Sequence, residues 1–167
     1  MRRQSSSIEI SASCEAVFDV VHDYERRLQW DTMLSQARLL AGARAAQVGV
    51  RSRCVGTWKS AFLALETEYV RFERGRVAAV RLTNRPPFFS RFAATIKHDA
   101  LDAGSSRTTY IYSLRARPRF LAPLLEPLLR IMIAREVRGR LRALRDFVEW
   151  RAASGVTQRL NAPSTPG

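Results

Sequence analysis

His98 is the side chain of this 167-residue sequence best suited to moving a proton. An imidazole has a pKa near neutrality, so it can act as an acid or a base at physiological pH. His98 falls near the end of a predicted strand, where a purely structural histidine is the alternative. Glu66 and Glu68 could form a catalytic carboxylate pair, or they could be a solvated row on a charged strand.

The other reactive side chains predict no metal or cofactor. His22 lies near the end of the first predicted helix, where it could cap that end. The two histidines are far apart, and Cys14 and Cys54 have no further cysteine or histidine at ligand spacing. We therefore expect two small core cysteines in a reducing, cytoplasmic setting, with no zinc site and no disulfide. The sequence also lacks a nucleophile elbow, a phosphate loop and a dinucleotide fingerprint.

The net charge of +13 is large for a chain of this size, and nearly all of the basic residues are arginine. A positive surface attracts nucleic acid, acidic lipid or an acidic protein. The alternative is an ordinary solvated surface that reflects a coding bias. We expect no nucleic-acid partner, because no recognised nucleic-acid-binding motif is present. An acidic membrane surface remains open as a partner.

The hydrophobic pattern predicts one α+β domain over residues 1–151, followed by a flexible tail over 152–167. The charged start is followed by Ile8-Glu9-Ile10, so we expect no signal peptide. Two short helices should follow a first strand at about residues 6–11, the second over 23–30. Short turns should then join strands into an antiparallel sheet. These strands are predicted at residues 33–40, 51–58, 65–72, 76–82, 92–101 and 107–116.

One long helix ends the predicted domain. Apolar residues recur at three- and four-residue steps between Leu125 and Val148, which is typical of one helical face. Pro127 favours a continuous helix that starts near this residue and runs to about residue 150. Such a helix is long enough to cover an antiparallel sheet with one apolar face.

Three motifs in this order resemble the START/Bet v1-like superfamily, also called the polyketide cyclase/dehydrase and lipid-transport group. Residues 8–21 (IEISASCEAVFDVV) resemble its opening strand and helix, and residues 24–31 (YERRLQWD) resemble its second-helix signature. Residues 103–108 (AGSSRT) resemble the turn before its last strand. The resemblance implies a helix-grip fold, in which a curved antiparallel sheet wraps around the last helix and leaves an apolar cavity.

Strand alternation predicts which side chains line that cavity. We expect its volume to be at least on the order of a few hundred Å³. The inward face of residues 65–72 stays undecided between the set with Glu66 and the set with Tyr69. The predicted lining consists of Trp58, Val80, Leu82, Phe92, Ile96, His98, Tyr110, Tyr112, Leu114 and Met132.

Two other segments have expected roles. Trp30 and Asp31 should lock the second helix to the sheet. Phe88 and Phe89 lie between Arg85 and Arg91 in a predicted loop, where they could insert into a bilayer interface or close the cavity mouth.

The sequence leaves three functions open. The first is a binder or carrier of an apolar small molecule such as a lipid, a quinone or a polyketide-like compound. The second is a cyclase or dehydratase that uses the same cavity, and the third is a basic interaction module without a ligand. The scarcity of converging acids and bases favours the first function over the second.

Overall fold

A computed structural model describes residues 3–57, 64–87, 89–117, 120 and 122–155 of the chain. Seven strands form one antiparallel sheet in the order β1-β7-β6-β5-β4-β3-β2. The strands are β1 (Arg3–Ile10), β2 (Leu34–Leu39), β3 (Arg51–Gly56), β4 (Ala64–Glu73), β5 (Val77–Leu82), β6 (Phe89–Ala100) and β7 (Ser106–Ala116). The helices are α1 (Cys14–His22), a short 3₁₀ helix (Arg27–Gln29) and α2 (Ala122–Ala153). The predicted helix-grip α+β fold is confirmed.

The helix α1 follows β1 directly because Ser13 caps it. The Ser13 hydroxyl accepts a hydrogen bond from the backbone N–H of Ala16 at 3.3 Å. Val17, Phe18 and Val21 form the buried face of α1 and pack against one end of the sheet and α2.

The predicted second short helix is present but shorter than the expected range 23–30, since it is a 3₁₀ helix over Arg27–Gln29. The Asp23 carboxylate accepts hydrogen bonds from the backbone N–H groups of Glu25 and Arg26. Such local bonds offer the backbone an alternative to a helix. The chain therefore turns tightly between α1 and β2.

The helix α2 begins at Ala122, before the start near Pro127 that the sequence predicted. A proline inside a helix loses one backbone hydrogen bond and crowds the preceding turn. Leu125 and Leu129, on either side of Pro127, pack into the core against the sheet. This packing holds the early turns of α2 helical despite the proline.

The inward face of β4 carries the buried Thr67 and Tyr69, and a β-bulge alters the alternation beyond them. The register with β5 shifts between Tyr69 and Arg71, so Phe72 joins the inward face that also carries Tyr69. Glu66 and Glu68 point outward and pair with Arg53 and Arg81 on the neighbouring strands. Of the two interpretations that the sequence left open, the two glutamates therefore fit the solvated row and not the catalytic pair.

Candidate functional site

A cavity of about 160 Å³ lies between the sheet and α2. Its volume is smaller than expected, and smaller than the roughly 300–1,000 Å³ of sites for drug-sized ligands. An apolar cavity of about 150 Å³ is large enough to take up benzene. The described residues of the wall are Val21, His22, Tyr24, Arg27, Trp30, Met33, Leu34, Ser52, Cys54, Gly56, Leu65, Thr67, Tyr69, Ala78, Val80, Phe92, Ala94, Ile96, Tyr110, Ile133, Val137, Arg140, Leu141 and Leu144.

The structure brings together four of the ten residues that strand alternation selected. Val80, Phe92, Ile96 and Tyr110 line the cavity from three adjacent strands, β5, β6 and β7. Trp58 lies outside the described residues. These four residues form much of the apolar floor of the cavity.

The other predicted lining residues are not among the described wall residues. Tyr112 and Leu114 share the inward face of β7 with Tyr110, but they pack in the core cluster under α2. Met132 is partly buried against the same cluster, and Leu82 ends β5. Alternation identified the inward face of β7 correctly, but it cannot show how closely the helix approaches each position.

His98 packs away from the cavity, beneath α1. Its Nδ1 lies 3.0 Å from the Thr108 hydroxyl, and its ring contacts Phe18 edge-on. Burial lowers the pKa of His98 to about 4, so the imidazole is neutral at pH 7. The side chain is therefore a buried partner of Thr108, and it is not among the described residues that line the cavity.

His22, which the sequence suggested as a helix cap, lines the cavity instead. Its Nδ1 lies 3.1 Å from the Tyr69 hydroxyl, which lies 3.0 Å from the Tyr24 hydroxyl. Burial and the nearby charge of Arg27 lower the pKa of His22 well below its usual value. Its Nε2 is buried and has no hydrogen-bond partner among the described residues. The cavity wall thus includes one neutral imidazole, whose Nε2 is unpaired among the described residues.

A buried ion cluster forms part of the wall beside His22. The Arg27 Nε donates to Asp31 Oδ2 at 2.8 Å, and an Arg140 nitrogen lies 2.8 Å from the same oxygen. Arg27 also donates to the backbone carbonyl of Val21. The guanidinium groups of Arg27 and Arg140 lie over the Trp30 ring, at 4.9 and 5.9 Å from its centroid.

The sequence suggested that Trp30 and Asp31 lock the second helix to the sheet, and the cluster adds a contact with α2. Because Arg140 belongs to α2, the buried Asp31 ties the turn after α1 to the long helix. Burial raises the pKa of Asp31, and the Arg27 guanidinium opposes this rise. Burial acts to lower the pKa of Arg27, but the Asp31 carboxylate together with Tyr24, Cys54 and Tyr69 outweighs burial, and the pKa is raised. The cluster therefore holds two cations and one anion at neutral pH.

The predicted loop with the two phenylalanines is shorter than expected. Phe89 and Arg91 belong to β6, which begins three residues before the predicted start. Phe88 and the side chain of Phe89 lie outside the described part of the chain. Their proposed role at a cavity mouth or membrane stays a prediction.

Cys14 and Cys54 are free, and Cys54 lines the cavity. Burial raises the pKa of the Cys54 thiol to about 11, so it is neutral at pH 7. Within the described residues, no cluster of three or more potential metal ligands occurs. No helix in those residues is long and apolar enough to cross a bilayer.

Several solved structures share this fold at low sequence identity. The chain is similar to the di-domain aromatase/cyclase BexL from the BE-7585A biosynthetic pathway, with a TM-score of 0.75 and 14% identity over 91% of this chain. It spans only about half of that protein, 48% of its length. The Zhui aromatase/cyclase from Streptomyces sp. R1128 gives a TM-score of 0.72 and 15% identity, with 90% of this chain and 95% of that one covered.

A START superfamily protein from Mycobacterium smegmatis gives a TM-score of 0.70 and 16% identity, with 89% of this chain and 97% of that one covered. No curated protein sequence matches the chain. The family model described as polyketide cyclase/dehydrase and lipid transport matches residues 1–149, nearly the whole of the described domain. The chain belongs to the polyketide cyclase/dehydrase and lipid transport family.

Proposed function

We propose that the chain binds a small apolar molecule in the cavity between the sheet and α2. The observation that carries this proposal is the unfilled space itself, bounded mainly by apolar and aromatic side chains. Close packing is the rule in protein interiors, and lining atoms beside a void lose their contacts. A ligand that fills the space restores those contacts. The volume favours a ligand about the size of one substituted aromatic ring.

Native mass spectrometry of the protein purified from its host tests this proposal. We expect an additional mass that is released on unfolding. The variant Val80→Trp should fill the cavity and remove this mass. Val70→Trp is the matched control, because Val70 is exposed on the neighbouring strand β4. Identical spectra for the wild type and Val80→Trp would contradict the proposal.

Cyclase or dehydratase chemistry is the second candidate, and the observation that favours it is the free Nε2 of His22. Such reactions move protons on the substrate, and a neutral imidazole in the cavity can accept one. Nε2 can accept a proton in the tautomer in which Nδ1–H donates to the Tyr69 hydroxyl, and this hydrogen bond orients the ring. If the chain is an enzyme, His22→Gln should abolish turnover, although the protein should still bind a ligand in the cavity with a changed affinity. Unchanged turnover in His22→Gln would remove the histidine from the mechanism.

We also propose that the outward face of α2 docks on an acidic membrane surface. Leu124, Leu128 and Ile131 form a stripe along the first turns of α2 and are 75%, 65% and 70% exposed. The same outward face continues into three exposed arginines, Arg135, Arg138 and Arg142. None of these arginines forms an ion pair with another described residue. An apolar stripe beside unpaired cations is the pattern of a helix that lies in a membrane interface.

The expected strength suits reversible docking. Complete burial of each apolar side chain contributes roughly 1.5–3 kcal/mol. Each arginine near an acidic surface adds about 1 kcal/mol, which salt weakens. A carrier needs contact of this kind, since it has to leave the membrane with its ligand.

Sedimentation with vesicles tests the docking face. Binding should rise with the phosphatidylserine content and fall with salt. Replacement of Leu124, Leu128 and Ile131 by serine should abolish it. The matched control is serine at Val70 and Leu101, exposed apolar residues away from α2. Absence of sedimentation at low salt would contradict the proposal, and self-association through α2 would assign the stripe to a second copy.

A further inference from the structure

The wall of the cavity is positively charged. Arg27 and Arg140 line it, and none of the other described lining residues carries a carboxylate. Asp31, which lies beside both arginines, neutralises only one of them. Burial of an unbalanced charge is costly, because the charge loses its hydration. A stable site of this kind calls for a second anion.

The remaining titratable groups of the wall are neutral at pH 7 and supply no anion. Burial raises the pKa values of Tyr24, Tyr69 and Tyr110. It also raises the pKa of Cys54 and lowers that of His22. The excess positive charge of the two arginines is therefore left for the ligand to balance.

Unused hydrogen-bond donors lie beside this charge. Trp30 is 4% exposed, and its Nε1 has no hydrogen-bond partner among the described residues. No hydrogen bond within the described chain involves the Arg140 side chain, whose 2.8 Å contact with Asp31 is an ion pair. Guanidinium groups present several donors in a plane and suit oxyanions.

We propose that the ligand is a small aromatic molecule with one acidic oxygen group, bound by Arg140 and Arg27. The apolar floor of Val80, Phe92 and Ile96 takes the ring, and the arginines take the carboxylate or phenolate. This inference rests on the proposed binding function and adds the charge of the ligand. Binding of this ligand makes or breaks no covalent bond.

Isothermal titration with cinnamate and its uncharged amide, cinnamamide, tests the inference. The two probes have nearly the same shape and differ in charge. We expect cinnamate to bind at least about tenfold more tightly than cinnamamide. Arg140→Gln should remove this preference. Arg145→Gln is the matched control, because Arg145 pairs with Asp146 outside the cavity.

A third probe distinguishes a carboxylate ligand from a phenolate. The pKa of para-nitrophenol lies near neutrality, and its phenolate absorbs visible light. Binding as the phenolate should lower its pKa in the wild type and not in Arg140→Gln. If cinnamate binds more tightly than cinnamamide but the pKa of para-nitrophenol does not fall on binding, the ligand is a carboxylic acid.

The outcomes separate the two proposals. Equal affinity for cinnamate and cinnamamide would overturn the inference and leave the apolar binding function standing. Binding of neither probe would overturn both. The wild-type comparison alone decides the charge of the ligand, so the test does not depend on the folding of a variant.

Discussion

The inward face of β7 meets α2 in two different ways. Tyr112 and Leu114 pack in one buried cluster with Leu129 and Ile133, and of these four residues only Ile133 also lines the cavity. Tyr110, two residues earlier on the same face, lines the cavity and lies under the Arg140 guanidinium at 5.5 Å. The same alternation therefore builds a packed core at one end and a site at the other.

The difference lies in the polar groups beside each end. The packed end is closed mainly by apolar side chains, whose contacts add dispersion energy, and it also buries the Tyr112 hydroxyl without a hydrogen-bond partner among the described residues. The cavity end contains a buried carboxylate and two arginines whose charges must be balanced. Rigid ion clusters of this kind contribute little net stability but fix the positions of their members. Substitutions at the two ends should consequently have separable effects on stability and on ligand binding.

Asp31→Asn should have the largest effect on stability. The substitution keeps the shape of the side chain but leaves the buried guanidinium of Arg27 and the half-buried one of Arg140 without their anion. We expect the free energy of unfolding to fall by about 3–5 kcal/mol, measured by urea denaturation. Asp146→Asn is the control, since that carboxylate is exposed and pairs only with Arg145. A loss for Asp31→Asn as small as that for the control would show that the cluster is not held by charge.

Leu114→Ala tests the packed end. Removing a buried leucine side chain costs about 2–5 kcal/mol, depending on how far the site collapses. We expect this loss of stability with little change in the affinity for cinnamate, because Leu114 is not among the described wall residues. Chemical denaturation and titration on the same samples give both values. A large loss of affinity at full folding would show that the two ends are coupled.

The sequence predicted the packed end better than the cavity end. Period-two alternation on β7 and the apolar steps of α2 identify faces, and both faces were predicted correctly. The bulge near Tyr69 escaped prediction because an extra residue in a strand leaves no periodic signal. The start of α2 was misplaced because core packing overrides the preference of one proline.

The polar residues of the cavity were the main omission. His22, Tyr24 and Arg27 belong to a segment that was interpreted as helices with structural roles. Arg140 had one available signal, since it lies three residues after Val137 and four before Leu144, on the apolar stripe. A charged residue on a buried face needs a buried partner. Asp31 could not be identified as that partner, because the two residues are more than a hundred positions apart.

The two histidines give the last comparison between the ends. Both are buried beside a hydroxyl group, but His22 lines the cavity and His98 lies under α1. Burial lowers the pKa of His98 to about 4, whereas the unfolded chain takes up a proton near its usual pKa of about 6.5. Between these values the unfolded state binds more protons, so stability falls as the pH falls through this window.

We expect His98 alone to reduce the free energy of unfolding by about 2 kcal/mol between pH 7 and pH 5. His22 adds a loss in the same direction, since its pKa is also lowered. Denaturation of His98→Gln and His22→Gln at both pH values should show a smaller pH dependence than the wild type in each case. Only His22→Gln should also change the affinity for cinnamate, because only its imidazole lines the cavity. An unchanged pH dependence in His98→Gln would mean that this imidazole is protonated as easily in the folded protein as in the unfolded chain, and that its packing against Phe18 and Thr108 does not exclude water.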